Sequence, residues 1–143
     1  MINATIEGIS RAIYNEFGSD YEIYKEEIPQ GFKEPCFSIV HIMSTSDAKL
    51  PNRYLRKNNF DVHYFPKSGR NEKSDMHNVA ERLFLCLEYI NVLDNSCRGT
   101  KMSPEIVEGV LHFFVSYDFF VKKQNTDVEP TMMEINLKSK NGG

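Results

Sequence analysis

The feature that most constrains the fold of this chain is a stretch between Ile106 and Lys123 in which side chains of two kinds alternate. One row is entirely apolar and comprises Leu111, Phe113, Val115, Tyr117, Phe119 and Val121. The other row is more polar and comprises His112, Phe114, Ser116, Asp118, Phe120 and Lys122. Because successive side chains of a strand point to opposite faces of a sheet, this pattern predicts a long strand with one buried face. We expect the apolar row to pack against the second of two helices.

Both helices are predicted from apolar residues that recur at helical spacing. The first covers residues 3–17, with Asn3 as its cap and Gly18 as its stop. Its apolar stripe comprises Ile2, Ile6, Ile9, Ile13 and Phe17. The second begins at about Glu72 or Asp75 and ends at Ile90. Its stripe comprises Met76, Val79, Ala80, Leu83, Phe84, Leu87 and Ile90.

Four further segments have the composition of strands. Residues 21–25 form a short one, and residues 36–43 are apolar on both faces apart from Ser38 and His41, which predicts a central strand. Residues 54–65 alternate, with Phe60, Val62 and Tyr64 on one side. Residues 98–103 are expected to form a hairpin with the long strand through Pro104.

The element order is therefore helix, three strands, helix, and two or three strands. Such an order predicts an α+β fold, with a mixed or mostly antiparallel sheet and two helices packed on one face. A chain of 143 residues has the size of one domain, and it is long enough to bury a core without metals or disulfides. We divide it into a single α+β domain at residues 1–125 and an extended C-terminal arm at residues 126–143.

A basic segment lies in the middle of an otherwise acidic chain. Residues 49–73 carry seven basic and two acidic side chains, a net charge of +5, whereas residues 1–48 and 74–143 have net charges of −5 and −3. The polar stretch from Ser44 to Asn52 leads into it and is expected to be an extended arm or a long hairpin tip. Its candidate interface residues are Lys49, Arg53, Tyr54, Arg56 and Lys57. They are expected to contact an acidic protein neighbour; the alternatives are a groove that follows a nucleic-acid backbone or a solvated loop.

The C-terminal arm carries a small apolar island. Met132, Met133 and Ile135, with Leu137, are too few for a stable isolated helix, and a single strand is not stable by itself. We expect this segment to order by adding to the sheet edge of a neighbouring subunit. The alternative is that it folds back on its own sheet as an edge strand.

The sequence carries no recognisable signature of catalysis or cofactor binding. The four histidines are His41, His63, His77 and His112; they form no metal-binding motif, although His41 and His63 would approach each other if their strands paired. Gly69 and Gly99 are interpreted as loop residues, with no phosphate-binding pattern around them. The three cysteines show no CxxC spacing, which is typical of reduced cytosolic thiols. We therefore expect no catalytic residue, metal or cofactor.

Targeting signals are also missing from the sequence as given. The first residues lack the features of a signal peptide, and no run of apolar residues is long enough for a membrane span. We expect a protein made in the cytoplasm, with no membrane contact.

Several short motifs resemble one known family. They are Met1-Ile2-Asn3-Ala4-Thr5-Ile6-Glu7-Gly8-Ile9, Gly18, Tyr21-Glu22-Ile23-Tyr24, Gln30-Gly31-Phe32, Pro35-Cys36-Phe37 and Val107-Glu108-Gly109-Val110-Leu111-His112-Phe113-Phe114-Val115. With these motifs the chain resembles, over nearly its whole length, the phage tail terminator family of Gram-positive phages and prophages. All of them are structural, and none is a catalytic signature.

The resemblance implies a structural virion protein in the neck region of the tail, assembled in the host cytoplasm. Its partners would be identical subunits in a hexameric ring, the tail tube protein and a head-side connector protein, while DNA would pass through the ring without specific recognition. Such a ring caps the head-proximal end of the tube and stops its polymerisation. The alternatives are another neck component, such as a head-completion or connector protein, and a small nucleic-acid-binding phage protein. A net charge of −3 argues against the last of these.

Overall fold

A computed structural model describes residues 1–26 and 28–122. Its elements are α1 (Ile2–Phe17), β1 (Glu22–Tyr24), β2 (Cys36–Leu50), β3 (Arg53–Phe65), α2 (Glu72–Cys86), β4 (Tyr89–Val92), β5 (Asn95–Val107) and β6 (Val110–Lys122). The strands form one six-stranded sheet in the order β1-β2-β3-β6-β5-β4. Only β1 and β2 pair in parallel, so the predicted α+β fold with a mixed sheet is confirmed.

The core lies between one face of this sheet and the two helices. All six residues of the apolar row of β6 are buried, and on β3 the buried residues include Phe60, Val62 and Tyr64. Phe113 of β6 packs edge-on against Phe84 of α2 with ring centroids 5.1 Å apart. The expected packing of the long alternating strand against the second helix is therefore confirmed.

The first helix ends as predicted but begins differently. Gly18 terminates α1 with a φ of 86°, a backbone conformation that glycine adopts at little cost. At the other end Met1 is the cap residue and Asn3 lies inside the helix, so the prediction of Asn3 as the cap is wrong. Thr5 occupies the buried side of this turn and its hydroxyl donates a hydrogen bond to the Met1 carbonyl.

The second helix is shorter than predicted. It ends at Cys86, and Ile90 belongs to β4 rather than to the helix. Ile90 and Val92 are buried on one side of β4, which pairs with the start of β5. The turn between these strands places Leu93 and Asp94 at φ values of 52° and 67°. Two successive residues with positive φ make the tight turn that suits a two-residue hairpin.

The hairpin of β5 and β6 turns later than predicted. Its turn is at Glu108-Gly109, whose φ values are 50° and 78°, and not at Pro104. Pro104 lies within β5 opposite Phe113. Because β4 pairs with β5 only up to Arg98, this part of β5 is an edge among the described strands, where a proline removes no hydrogen bond from a neighbouring strand.

Gly99 lies within β5, so its interpretation as a loop residue is wrong. It is buried where β5 crosses the end of α2, and its amide donates a hydrogen bond of 2.7 Å to the Glu88 carbonyl. A Cβ atom at this position would lie 2.6 Å from the carbonyl oxygen of Leu87 and 3.0 Å from Cγ2 of Val115. The same Leu87 oxygen accepts a 2.6 Å hydrogen bond from the hydroxyl of buried Tyr117. Glycine is therefore required by close packing at this point.

The strands β2 and β3 form the long hairpin that the sequence predicted. Ser44 to Leu50 are exposed and continue β2 well beyond the short partner strand β1, which pairs only with residues 36–38. The chain turns at Pro51-Asn52 and returns as β3, which pairs with β6 along most of its length. We call the segment from Ser44 to Arg56 the hairpin arm. No helix among the described residues is long and apolar enough to span a membrane.

Candidate assembly surfaces

The hairpin arm brings together the basic residues that the sequence singled out, but on two faces. Arg53 and Lys57 point to one side of β3, whereas Tyr54 and Arg56 point to the other, because side chains of a strand alternate. Lys49 is exposed at an irregularity in the pairing of β2 with β3. The five residues therefore surround the arm and do not form one flat patch.

The two faces of the arm have different surroundings. On the outer face, away from the helices, Lys57 is the cross-strand partner of Asp118 and Arg53 that of Lys122. On the helix side, Arg56 donates a 3.3 Å hydrogen bond to the Ser46 hydroxyl. There it lines an open groove of about 340 Å³ between the arm and the start of α1, together with Met1, Ile2, Ser44, Thr45, Ser46 and Asn58. Arg56 is thus partly held in place, while Lys49 and Arg53 remain exposed.

Large apolar side chains are exposed along β2. Val40, Ile42, Met43 and Leu50 keep 38%, 49%, 46% and 57% of their surface accessible. Beyond residue 38, β2 has no outer strand partner within the part of the chain that the structure describes. An open strand edge flanked by apolar and basic side chains offers both main-chain hydrogen bonds and contact area to another chain.

A second open edge lies on the opposite side of the sheet. Residues 100–107 of β5 have no strand partner on their outer side among the described residues, because β4 covers just residues 95–98. The described part of the chain therefore has two different open strand edges. Met132, Met133 and Ile135, which were also predicted to take part in assembly, lie outside the described residues, as does the proposed domain boundary at residues 125 and 126.

The histidines are arranged differently from the sequence expectation. His41 is the cross-strand partner of Phe60, whereas His63 is the partner of Ser38, so the anticipated approach of His41 to His63 does not occur. His63 instead lies opposite His112 of β6, on the sheet face away from the helices. Nε2 of His63 and Nδ1 of His112 each lie 2.9 Å from Oδ2 of Asp61. The alternating patterns of β3 and β6 put these residues on one face, but only the strand register brings them together.

Two of the three cysteines, Cys36 and Cys97, are buried, and Cys86 is partly buried. Burial is the main reason that the pKa of Cys36 is raised to about 11 and that of Cys97 to about 11. Burial likewise raises the pKa of Cys86 to about 12. Because a thiolate is the reactive form of cysteine, these thiols are poor nucleophiles near neutral pH.

Comparison with known proteins identifies a family from the sequence. The model of a family described as phage tail terminator protein matches residues 5–129, which is most of the chain. No curated protein matches. A solved structure that is 15% identical aligns over 80% of this chain and 92% of its own with a TM-score of 0.37, a likeness too weak to carry an argument.

The family match agrees with the resemblance of the motifs at both ends of the described domain. The members of this family are structural proteins of the phage tail and not enzymes. A role in the virion tail follows for this chain. It belongs to the phage tail terminator protein family.

Proposed function

We propose that this protein forms a ring of identical subunits, a hexamer, at the head-proximal end of the tail tube. In this role the ring stops tube polymerisation and presents a docking surface to the head-side neck proteins. DNA passes through its lumen without sequence-specific recognition. The proposal rests on membership of the tail terminator family and on the two strand edges described above.

The two edges matter because of the symmetry of rings. A closed ring of more than two subunits needs heterologous contacts, in which each subunit uses two different patches. The outer edge of β2 and the outer edge of β5 are two such patches on opposite sides of one sheet. Pairing the β2 edge of one subunit with a neighbour would also cover Ile42 and Met43.

The charge of the hairpin arm supports a contact with protein. Residues 1–48 and 74–143 are both acidic, so negatively charged side chains are available on a neighbouring subunit. Complementary charge increases the rate of association and excludes wrong partners more than it increases affinity. The charge of the arm would therefore select the partner, whereas pairing at the strand edge would supply the affinity of the contact.

The test is a charge reversal in the arm with a matched control. One variant replaces three basic residues of the β3 side of the hairpin by glutamate: Arg53→Glu, Arg56→Glu and Lys57→Glu. The control reverses three exposed basic residues of the same basic segment outside the arm: Lys67→Glu, Arg70→Glu and Lys73→Glu. Both variants change the net charge equally, and circular dichroism checks that each remains folded.

Each protein is mixed with purified tail tubes and tube ends are counted by negative-stain electron microscopy. We expect the wild type and the control variant to form rings and cap the tubes, and the arm variant to do neither at physiological salt. Normal capping by the arm variant would show that the contact lies elsewhere. A wild type that ignores tube ends but binds head-side complexes would instead be another neck component.

A further inference from the structure

We propose that Asp61, His63 and His112 form a binding site for one divalent transition-metal ion, of which Zn²⁺ is the best match. The site lies on the outer face of the sheet, on the two central strands β3 and β6. This inference concerns residues outside the proposed assembly contacts. It also does not depend on the proposed ring.

The arrangement of the three side chains fits a shared ion. Their donor atoms all lie within 4.8 Å of one another, and each imidazole nitrogen is 2.9 Å from the same oxygen, Oδ2 of Asp61. Two metal bonds of about 2.0–2.1 Å at a tetrahedral angle place their ligand atoms about 3.3 Å apart. The two His–Asp separations are already close to this value, and the two imidazole nitrogens, which lie within 4.8 Å of each other, need to approach by at most about 1.5 Å to surround one ion.

The burial of the Asp61 carboxylate is a second, independent reason to place a metal ion here. Asp61 retains only 8% of its surface, and its Oδ1 atom is buried with no hydrogen-bond partner among the described residues. Its neighbours on the adjoining strands are Val40 and Phe114, which offer no polar group from their side chains. A buried carboxylate with one unpaired oxygen is costly unless a compensating charge lies beside it. A divalent ion held between this carboxylate and the two imidazoles would supply that charge.

The ligand types decide the chemical class of the ion. Imidazole nitrogen suits zinc and its first-row neighbours, whereas Mg²⁺ and Ca²⁺ prefer sites made only of oxygen. The side chains of His63 and His112 are each 23% exposed, so water can reach the open side of the site. Glu105 is the cross-strand partner of His112 on the same face and provides a further carboxylate close by.

The first experiment measures binding by calorimetry with protein that carries no polyhistidine tag. Zn²⁺ should bind with one ion per chain, and Mg²⁺ should not compete. Asp61→Asn, His63→Gln and His112→Gln should each weaken the affinity at least about 100-fold, since even loss of a partner behind a metal ligand costs 10–100-fold. The matched control is His77→Gln, because His77 is exposed on α2 and outside the cluster. It should bind like the wild type.

A second measurement needs no variant and remains valid if one of them fails to fold. Co²⁺ should give the visible absorption of a nitrogen and oxygen site without a sulfur charge-transfer band. In NMR spectra, Zn²⁺ should shift the imidazole signals of His63 and His112 and leave those of His77 unchanged. Affinity no better than millimolar, a sulfur charge-transfer band, or full affinity in folded Asp61→Asn protein would each overturn the proposal.

Discussion

Replacing Gly99 by alanine should destabilise the protein, although the backbone at this position allows alanine. Alanine lowers the conformational entropy of the unfolded chain, and this effect alone would stabilise the folded protein by about 0.4–1 kcal/mol. The opposing effect is steric repulsion, because the new Cβ would lie only 2.6 Å from the Leu87 oxygen. Carbon and oxygen atoms normally approach to about 3.3 Å, so one of the two segments has to move by about 0.7 Å.

Neither segment can move freely, because both are tied by short hydrogen bonds. The Gly99 amide is bonded to the Glu88 carbonyl, and the Leu87 carbonyl accepts the hydroxyl of Tyr117. Overpacking in a core costs about 1–3 kcal/mol, and a buried polar group that loses its partner costs about 1–3 kcal/mol more. After subtraction of the entropic gain, Gly99→Ala should lower the free energy of unfolding by about 1–5.5 kcal/mol.

Urea unfolding followed by circular dichroism measures this change, with Ser103→Ala on the exposed part of β5 as the control. The control should stay within about 0.5 kcal/mol of the wild type. A double-mutant cycle with Tyr117→Phe identifies the mechanism: if alanine displaces the Leu87 carbonyl, the double variant should lose less stability than the two single variants together. Wild-type stability of Gly99→Ala would refute the close approach of β5 to the end of α2.

Four further outcomes are expected. Phe113→Ala removes a fully buried ring and should lower the free energy of unfolding by about 3–5 kcal/mol. Phe120→Ala on the exposed face is the control and should cost far less. A loss below about 1 kcal/mol for Phe113→Ala would show that this face is not the core. The three thiols should resist alkylation at pH 8 in the native protein and react readily in urea. Since the pKa of Cys36 is raised by folding, its contribution to stability should persist below the thiol pKa of the unfolded chain and disappear as the pH rises toward 11. Deleting residues 126–143 should leave a folded protein that no longer forms rings; loss of stability would assign that segment to the domain itself.

The regular parts of the fold could be predicted because their patterns are long. The row from Leu111 to Val121 repeats six times at a spacing of two, and no other structure buries such a row on one side. The stripe of α1 spans four turns in the same way. In both cases many residues support the same secondary structure, so one residue that does not fit the pattern leaves the prediction unchanged.

The errors occurred where a few residues fit two structures equally well. Ile90 continues the helical spacing of α2 from Leu87, yet with Val92 it also starts the alternation of a short strand, and both structures bury it. Pro104 is a common turn residue, but on an edge strand it is tolerated, and the actual turn uses Gly109. Such short segments are decided by their partners in the sheet, which sequence spacing does not reveal.

The candidate metal site could not be predicted for a related reason. Asp61 and His112 are 51 positions apart, and they meet only because β3 and β6 pair in one particular register. The basic residues of the arm were found from composition, but their distribution over two faces depends on the strand geometry of β3.

The alternating strand and the tip of the hairpin arm tolerate insertions very differently. One extra residue within β6 would turn every residue beyond it to the opposite face and expose half of the core row. At the tip between Leu50 and Arg53, one residue added to each strand would lengthen the arm by about 3.4 Å. All other side chains of β2 and β3 would keep their present sides of the sheet. Arm length can therefore drift during evolution while the domain stays unchanged. Related chains whose arms differ in length should therefore differ there by even numbers of residues.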